Sequence, residues 1–364
     1  MENEKKKKGG SKIALYVLYG VLTVLVLITI LSVNDIDEIF KVMEKADLRY
    51  IGYALILLAV YLFTYPITTG LLTRKMGHKV SFFRCYSIGM IEHFFNGITP
   101  FASGGQPFQV YAFKKSKVNA GDSTGILLMN FIIFMIVTNG FALSSLVFAN
   151  KFITDVPMAI FAVIGFTINF FVLFVLISLG VSKRVRRFLE RLIDYFSKTK
   201  LIGRFLAPKA DSLKEYFQNV QDAFKALWKS KGTFFACLGI KFISMSAYYA
   251  ITFFIMRALG IFVGIDQLFF VMAGSSFAIT MVVFLPTPGS SGGIEFAFNA
   301  IFASIAGIGI TAVSYSGMLI WRLLTYYLVM AISLIFYIML EVFFFRRNKD
   351  TDEEKDEKTE EKVQ

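Results

Sequence analysis

Four charged side chains fall inside long apolar stretches, where charge is costly, and they are the first candidates for chemistry. They are Glu92, Lys241, Glu295 and Arg322. Ionisable groups at membrane depth pair with one another or mark a substrate path. We predict two pairs, Glu92 with Lys241 and Glu295 with Arg322, because an unpaired buried charge is strongly destabilising. In the functional alternative, both cations face an anionic headgroup and the glutamates hold them in place.

Two stretches rich in glycine, proline and serine lie near these charges: "NGITPFASGGQP" (96–107) and "LPTPGSSGGIE" (285–295). A broken helix inside a membrane persists only where protein or a wet cavity satisfies its backbone. Each break is followed by a new helix start, whose free N–H groups favour phosphate or carboxylate. The predicted substrate-binding residues are Ser103, Gly104, Gly105, Gln106, Gln109, Ser290, Ser291, Gly292, Gly293, Lys241 and Arg322, with bends at Pro100, Pro107, Pro286, Pro288 and Gly289.

Other reactive residue types are sparse. His93, next to Glu92, is either a proton relay or simply a hydrogen-bonded side chain. Cys85 and Cys237 stand far apart in apolar context and form no cluster with His78 or His93, so neither a disulfide framework nor a metal site is predicted. We predict no catalytic residue and no cofactor.

The elements that position these residues are membrane helices. Of 364 residues, 56% are hydrophobic and 18% charged, and uncharged runs reach the roughly 20 residues that cross a bilayer. The runs are 13–33, 50–73, 123–150, 156–182, 232–256, 267–294 and 296–340, of which 232–256 is interrupted by Lys241 and 296–340 by Arg322. A polytopic helical membrane protein is therefore predicted.

Basic loops set the orientation, because Lys and Arg concentrate on the cytoplasmic side. Residues 1–12 form a basic cytoplasmic N-terminus, and 346–364 a charged, disordered cytoplasmic tail. Residues 183–231 carry thirteen Lys/Arg against five Asp/Glu, so this amphipathic segment is cytoplasmic and either lies on anionic lipid or is only a positive-inside loop. A multi-pass plasma-membrane protein with cytoplasmic N- and C-termini is therefore predicted.

The same charges leave two segments that begin and end on one side, 85–113 and 266–309. The first, with 29 residues, is too short for two full spans. The predicted fold is an all-α integral membrane protein, a single domain over 13–345, with six full transmembrane helices and two re-entrant broken-helix hairpins. The hairpins enter from opposite faces, as in the inverted halves of transporters. Ordinary span-turn-span hairpins with glycines for close packing are the alternative.

The stretches "NGITPFASGGQPFQVYAFKK" (96–115) and "LPTPGSSGGIEFAF" (285–298), separated by a basic segment, resemble the lysylphosphatidylglycerol synthase transmembrane family. This is the flippase-like domain at the N-terminus of bacterial MprF proteins, which also occurs free-standing. The resemblance covers about residues 11–345. It implies that Pro100, Gly104, Gly105, Pro107, Gln109, Pro286, Pro288, Gly289, Gly292, Gly293 and Glu295 matter for function.

The resemblance implies transport of a lysylated phospholipid and resistance to cationic peptides. We expect a translocase for phosphatidylglycerol, its lysyl derivative or a lipid-linked headgroup, with no nucleic acid as partner. One alternative is phosphatidylglycerol lysyltransferase activity, but nothing after residue 345 resembles a transferase domain. Another is a non-transporting partner of a separate synthase, and a homo-oligomer is a further expectation. No ATP-binding motif is present.

Overall fold

The computed structural model describes residues 36–199 and 203–346. The basic N-terminus, the predicted first span 13–33 and all but the first residue of the tail lie outside this part of the chain. The longer helices are α1 (Ile36–Glu44), α2 (Leu48–Thr64), α3 (Ile67–Lys75), α4 (Phe82–Gly97), α5 (Gly105–Lys115), α6 (Ala120–Ser145), α7 (Val156–Val181), α8 (Lys183–Ser197), α9 (Ala210–Lys229), α10 (Lys231–Ala258), α11 (Leu268–Val282), α12 (Gly293–Ala306), α13 (Ala312–Arg322) and α14 (Val329–Met339).

The predicted all-α integral membrane fold is confirmed: no strand occurs in the described ranges. Helices long and apolar enough to cross a membrane occupy Leu48–Lys75, Ala120–Phe152, Val156–Val181, Lys231–Ala258, Ile265–Val282 and Ala312–Phe343. Five of these six match predicted full spans. The sixth is the first arm of the predicted hairpin 266–309.

Capping side chains fix where the spans begin. Asn119 accepts a hydrogen bond from the Asp122 amide at 2.8 Å, and Asp155 accepts one from the Met158 amide at 2.8 Å. Such caps satisfy amides that have no partner within the helix. The helices α6 and α7 therefore start at defined residues immediately after polar loops.

One predicted span, 50–73, is interrupted. Pro66 separates α2 from α3, and because proline has no N–H it leaves the Leu62 carbonyl without its helical donor. The Tyr86 hydroxyl donates to that carbonyl at 2.9 Å. The Tyr65 carbonyl, next to the break, accepts from the Thr68 hydroxyl at 3.1 Å. The break therefore exposes polar backbone groups inside the bundle.

Two helix-break-helix hairpins form the centre of the molecule. The first hairpin is α4, a 3-10 turn at Pro100–Ala102 (the first bend), and α5. The second hairpin is α11, a 3-10 turn at Pro288–Ser290 (the second bend), and α12. The arms α4, α5 and α12 have 11 to 16 residues, which at 1.5 Å per residue is about 16 to 24 Å, less than a bilayer core of about 30 Å. The remaining arm, α11 with the turn before it, is the 18-residue helix Ile265–Val282, which is long enough to cross.

Contacts at the helix ends show that the hairpins enter the bundle from opposite ends. At one end, the Asp47 amide donates to the Ala258 carbonyl, and the Ser304 hydroxyl of α12 donates to the Lys151 carbonyl. At the other end, Lys115, the last residue of α5, pairs with Glu341 at 3.4 Å. The chain direction then requires the two bends to meet inside, and they do pack against each other.

The packing pattern is repeated in the two halves of the chain. α2 packs on α10, the first arm of the first hairpin packs on α14, and the first arm of the second hairpin packs on α6. In each half a span is followed by a broken hairpin and then by another span. This is the arrangement of inverted repeats.

The basic segment forms α8 and α9, as its amphipathic pattern predicts. α9 packs against α6 and α7, so it is part of the bundle and not only a surface loop. α8 is more exposed, with Phe188 58% and Tyr195 67% accessible, and Lys214 of α9 pairs with its Asp194. That carboxylate raises the pKa of Lys214. Contact of α8 with anionic lipid stays a prediction.

Labelling of single cysteines tests the opposed ends of the hairpins. Lys114→Cys and Lys151→Cys, each made in a Cys85→Ala/Cys237→Ala background, place one exposed thiol at each end. From the positive-inside rule, we expect a membrane-impermeant maleimide to label Lys151→Cys in intact cells and Lys114→Cys only after permeabilisation. The cysteine-free chain is the control. Labelling of both thiols from one side would contradict the arrangement.

Candidate functional site

The two bends have the same sequence pattern and, over its Thr-Pro-x-x part, the same backbone shape; beyond it they diverge, with φ of −79° at Gly104 and 89° at Gly292. Residues 99–108 and 287–296 both read Thr-Pro-x-x-Ser-Gly-Gly-x-x-Phe. Thr99 (φ −116°, ψ 148°) and Thr287 (φ −105°, ψ 151°) are extended, as a residue before proline prefers. Phe101 (φ 54°, ψ 21°) and Gly289 (φ 59°, ψ 24°) are both left-handed. The bends are therefore a structural repeat.

This repeated conformation is strained where the residue is not glycine. Phe101, Ala102 and Ser290 have positive φ values of 54°, 49° and 52°. Left-handed backbone costs about 1–2 kcal/mol for a residue with a Cβ. Outliers of this kind cluster at functional sites, and here they lie where the two bends touch.

A cavity of about 220 Å³ lies where the bends meet. The first hairpin contributes His93, Asn96, Gly97 and Ala102 to its wall. The rest of the wall includes a set of aromatic and polar residues from the second bend and the neighbouring spans: Tyr61, Tyr248, Gly289, Ser290, Trp321, Arg322, Thr325 and Tyr326. The cavity is thus lined by both halves of the repeat and contains one basic side chain.

The predicted pair of Glu295 and Arg322 is present and holds the second bend. Arg322, 5% exposed, donates from Nε to Glu295 Oε1 at 2.7 Å. Its Nη2 also donates to the Gly289 carbonyl at 3.1 Å and to the Ser291 hydroxyl at 3.2 Å. Glu295 in turn accepts from the Gly292 amide at 2.6 Å. We call these residues the clasp.

Tyr326 joins the clasp to the first hairpin. The Arg322 guanidinium lies over its ring at 4.5 Å, an attractive cation–π geometry. Its hydroxyl donates to the Gly97 carbonyl at 2.9 Å. Arg322 and Tyr326 are one turn apart, and the segment Leu323–Leu328 is π-helical, a local irregularity that is frequent at functional sites.

The predicted direct pair of Glu92 and Lys241 is wrong. No ion pair within 4.0 Å joins them, although both residues are within the described part of the chain. The Lys241 ammonium, fully buried, donates to the Tyr65 carbonyl at 3.1 Å and lies 3.4 Å from the centroid of the Tyr65 ring. The Tyr65 hydroxyl lies 3.4 Å from Glu92 Oε1. Tyr65 thus stands between the two charges, because the helix break at Pro66 offers Lys241 a carbonyl instead.

Two polar atoms on the cavity wall have no hydrogen-bond partner among the residues that the structure describes. They are Nε2 of His93 and the indole nitrogen of Trp321. The His93 ring lies 4.7 Å from the Tyr65 ring and 5.6 Å from the Tyr61 ring. A buried polar group without a partner is costly, so both atoms are suited to a polar guest or water.

The glycines predicted to cradle an anion are closely packed against neighbouring atoms. A Cβ at Gly104 would lie 2.7 Å from the Phe95 carbonyl oxygen, and one at Gly105 would lie 2.8 Å from Glu92 Cγ. A Cβ at Gly293 would lie 1.9 Å from Leu285 Cδ1. These positions require glycine for close packing, which was the alternative explanation.

Several amides of the predicted cradle are already bonded within the chain. The Gly104 and Gly105 amides donate to Thr99 Oγ1 and Asn96 Oδ1, each at 2.8 Å, and the Gly292 amide donates to Glu295. Direct contact of these residues with a substrate stays a prediction. That prediction assumed free amides at the starts of the half-helices, whereas side chains accept hydrogen bonds from these amides.

The remaining predicted residues divide by location. Gln109 is buried, and its amide nitrogen donates to the Ile88 carbonyl at 3.0 Å. Ser103, Pro107 and Pro286 are exposed, and Gln106 is half-buried. Of the predicted set, the structure brings Gly289, Ser290 and Arg322 to the cavity. α5 begins at Gly105, so Pro107 lies within its first turn, where its missing N–H is tolerated.

Sequence reasoning missed the aromatic part of the cavity. Tyr61, Tyr248, Trp321 and Tyr326 belong to spans in which aromatic residues are common, so their types carried no distinguishing signal. The clearest signal that could have been used is proximity in sequence. Trp321 and Tyr326 flank Arg322 within one helical turn on either side.

Comparison with known proteins agrees with this architecture. The family model described as "Lysylphosphatidylglycerol synthase TM region" matches residues 14–333. A relative from Archaeoglobus fulgidus, described as a "UPF0104 membrane protein", is 26% identical over 303 residues, covering 79% of this chain and 85% of the relative. The chain is a multi-pass membrane protein, and it belongs to the lysylphosphatidylglycerol synthase transmembrane-region family.

Proposed function

We propose that this protein moves a phospholipid with an anionic or aminoacylated headgroup, or a lipid-linked headgroup, between the two leaflets of the bacterial plasma membrane. The observation that carries the proposal is the cavity at the meeting point of two opposed hairpins. A site reached from both ends by broken helices is the arrangement that transporters use for alternating access.

The size and lining of the cavity favour a headgroup. Its volume of about 220 Å³ is below the roughly 300–1,000 Å³ of pockets for drug-sized ligands. A small polar group fits there while its acyl chains remain in the bilayer. The Arg322 guanidinium, although paired with Glu295, and the indole N–H of Trp321, which has no hydrogen-bond partner among the described residues, offer donors to phosphate oxygens.

The clasp and the strained bends suit a conformational cycle. Each bend is a short, strained turn between two rigid arms, so a change at the bend reorients an arm without unfolding it. We propose that opening towards one end alternates with opening towards the other, with both termini cytoplasmic. For the physiological role we propose translocation linked to lipid modification and resistance to cationic peptides, with phosphatidylglycerol or its lysyl derivative as cargo; the name of the family supports this proposal.

Translocation is tested with purified protein in vesicles of phosphatidylcholine and phosphatidylglycerol that contain a trace of headgroup-labelled fluorescent phosphatidylglycerol. A membrane-impermeant reductant bleaches only the outer leaflet. We expect the protected half of the fluorescence to become accessible at least about tenfold faster than in protein-free vesicles, because the cavity shields the headgroup from hydrocarbon, where exposure of a charge is costly. Equal rates with and without protein would refute the proposal.

A further inference from the structure

The two halves of the repeat hold their glutamates in different ways. In the second half, Glu295 is fixed as a carboxylate by Arg322 at 2.7 Å and by the Gly292 amide at 2.6 Å. In the first half, Glu92 faces neutral groups: the Tyr65 hydroxyl at 3.4 Å and the amide-bearing side chains of Asn96 and Gln109. Among the described residues, Glu92 therefore has no short hydrogen bond to a cation of the kind that Glu295 makes with Arg322.

Lys241 is the nearest countercharge, but it does not contact the Glu92 carboxylate. Its Nζ is bound to the Tyr65 carbonyl at 3.1 Å and rests on the Tyr65 ring, and the side chain is fully buried. Two buried opposite charges without a direct contact regain little of their desolvation penalty. The arrangement is therefore sensitive to the addition of one proton.

This charge cluster borders the cavity through His93 and Asn96. Both residues lie on the cavity wall, on the same helix as Glu92, and Nε2 of His93 has no partner among the residues described. Tyr61 and Tyr65, which pack on the His93 ring, connect the wall to the Lys241 site. A change of charge at Glu92 therefore changes the electrostatic potential at His93, its neighbour on the cavity wall.

We propose that Glu92 is a proton-binding site whose occupancy is coupled to the binding of an anionic headgroup in the cavity. A proton from water bonds to a carboxylate oxygen of Glu92, which becomes a neutral acid. The Lys241 ammonium is then no longer balanced and attracts an anion. By linkage, an anion in the cavity must strengthen proton binding by the same factor. This inference rests on the proposed function and gives translocation a possible energy source, the proton gradient.

Titratable and polar groups face Glu92 from each helix packed around it, and we assign the charge change to Glu92 itself. α2 contributes Tyr61 and its capping residue Tyr65, α5 contributes Gln109, and α10 contributes Lys241 with Cys237 beside it. α14 contributes the Ser333 hydroxyl, which donates to the Met90 carbonyl of α4. The second bend contributes only the Arg322–Glu295 pair, which is already satisfied. Among the described residues, His93 on the same helix and Lys241 on α10 are the rival titratable groups closest to Glu92.

The chain offers a direct reporter, because it contains two tryptophans and one of them, Trp321, lines the cavity. In a Trp228→Phe background, the remaining fluorescence comes from Trp321. We expect this fluorescence to change with pH in detergent with a single midpoint. Adding short-chain phosphatidylglycerol is expected to move the midpoint about one unit to higher pH, a tenfold tighter binding of the proton. The titration should be absent in Glu92→Gln.

Controls separate the proton site from other groups and from misfolding. His78→Gln removes a histidine that pairs with Asp122 at 2.9 Å outside the cavity, and it should titrate like the parent. Glu92→Asp keeps a carboxyl and should restore the titration if Glu92→Gln does not give a monodisperse protein. A titration that survives in Glu92→Gln would overturn the assignment to Glu92. If that titration is lost in His93→Gln, the titrating group is His93.

The outcome is independent of the translocation assay. If the titration and its shift by phosphatidylglycerol occur while vesicles show no accelerated flipping, the proton site stands and the proposed translocation fails. If flipping is accelerated but the midpoint does not move with phosphatidylglycerol, the translocation stands and the coupling is refuted.

Discussion

Replacing Arg322 by leucine is expected to lower the free energy of unfolding by about 3–5 kcal/mol and to abolish transport. The substitution leaves Glu295 as a buried carboxylate without its countercharge. Such an uncompensated buried charge is the reason why breaking a buried ion pair is strongly destabilising. It also removes the donors to the Gly289 carbonyl and the Ser291 hydroxyl, which hold the second bend. The stability is measured as thermal loss of the monodisperse peak in detergent.

The double variant Arg322→Leu/Glu295→Leu separates stability from function. Removal of both charges should restore most of the stability, because apolar replacement of a buried pair is often neutral or stabilising. Transport should stay absent, since the cavity loses its basic side chain and the bend its clasp. Arg257→Leu is the matched control: Arg257 donates to the Val263 carbonyl and has no carboxylate partner in the described chain, so a loss of about 1–2 kcal/mol is expected. Restored transport in the double variant would mean that the pair is purely structural.

Adding a single methyl group at Gly289 is expected to reduce transport at least tenfold. Its Cβ would lie 2.3 Å from Cε2 of Tyr326 and 2.9 Å from the Tyr326 hydroxyl oxygen. The ring would have to move, which would disturb its bond to Gly97 and its contact with Arg322. Overpacking of this kind costs about 1–3 kcal/mol beyond the cost of the left-handed backbone.

Gly307→Ala is the matched control for Gly289→Ala. Gly307 has φ of 65°, close to the 59° of Gly289, but a Cβ there would meet nothing within 4 Å. Both variants carry the same backbone strain of about 1–2 kcal/mol, and only Gly289→Ala adds the steric conflict. Equal transport in the two variants would show that Tyr326 does not couple the second bend to the first hairpin.

The bends were predictable from the sequence because glycine and proline interrupt helices wherever they cluster in an apolar run. The clasp was predictable because Glu295 and Arg322 fall at similar depths and opposite charges there must be paired. Both inferences used local composition and chain direction, and neither depended on the details of packing.

The first charge pair could not be predicted in the same way. Glu92 and Lys241 also fall at similar depths, but the break at Pro66 leaves a carbonyl and an aromatic ring within reach of Lys241. Depth counted along a helix does not show which neighbouring groups compete for a buried ammonium. The close packing of the glycines could not be predicted either, because the atoms that they contact lie across a bend or far away in the sequence. Leu285, which packs against Gly293, is an example.

The aromatic wall of the cavity depends entirely on tertiary structure. Tyr61, Tyr248 and Tyr326 come from three spans that are far apart in the chain. Their side chains meet because α2 packs on α10 and because the two bends touch. The predicted anionic guest followed from the helix starts and the buried cations, and the phospholipid class from the family resemblance, whereas the shape of the site required the fold.

The most direct measurement is the rate at which labelled phosphatidylglycerol becomes accessible in vesicles that contain wild-type protein, Gly307→Ala or Arg322→Leu/Glu295→Leu. We expect acceleration by the first two and none by the double variant, with all three reconstituted as monodisperse protein in equal amounts. Wild-type vesicles that flip no faster than protein-free vesicles would contradict the proposed translocation.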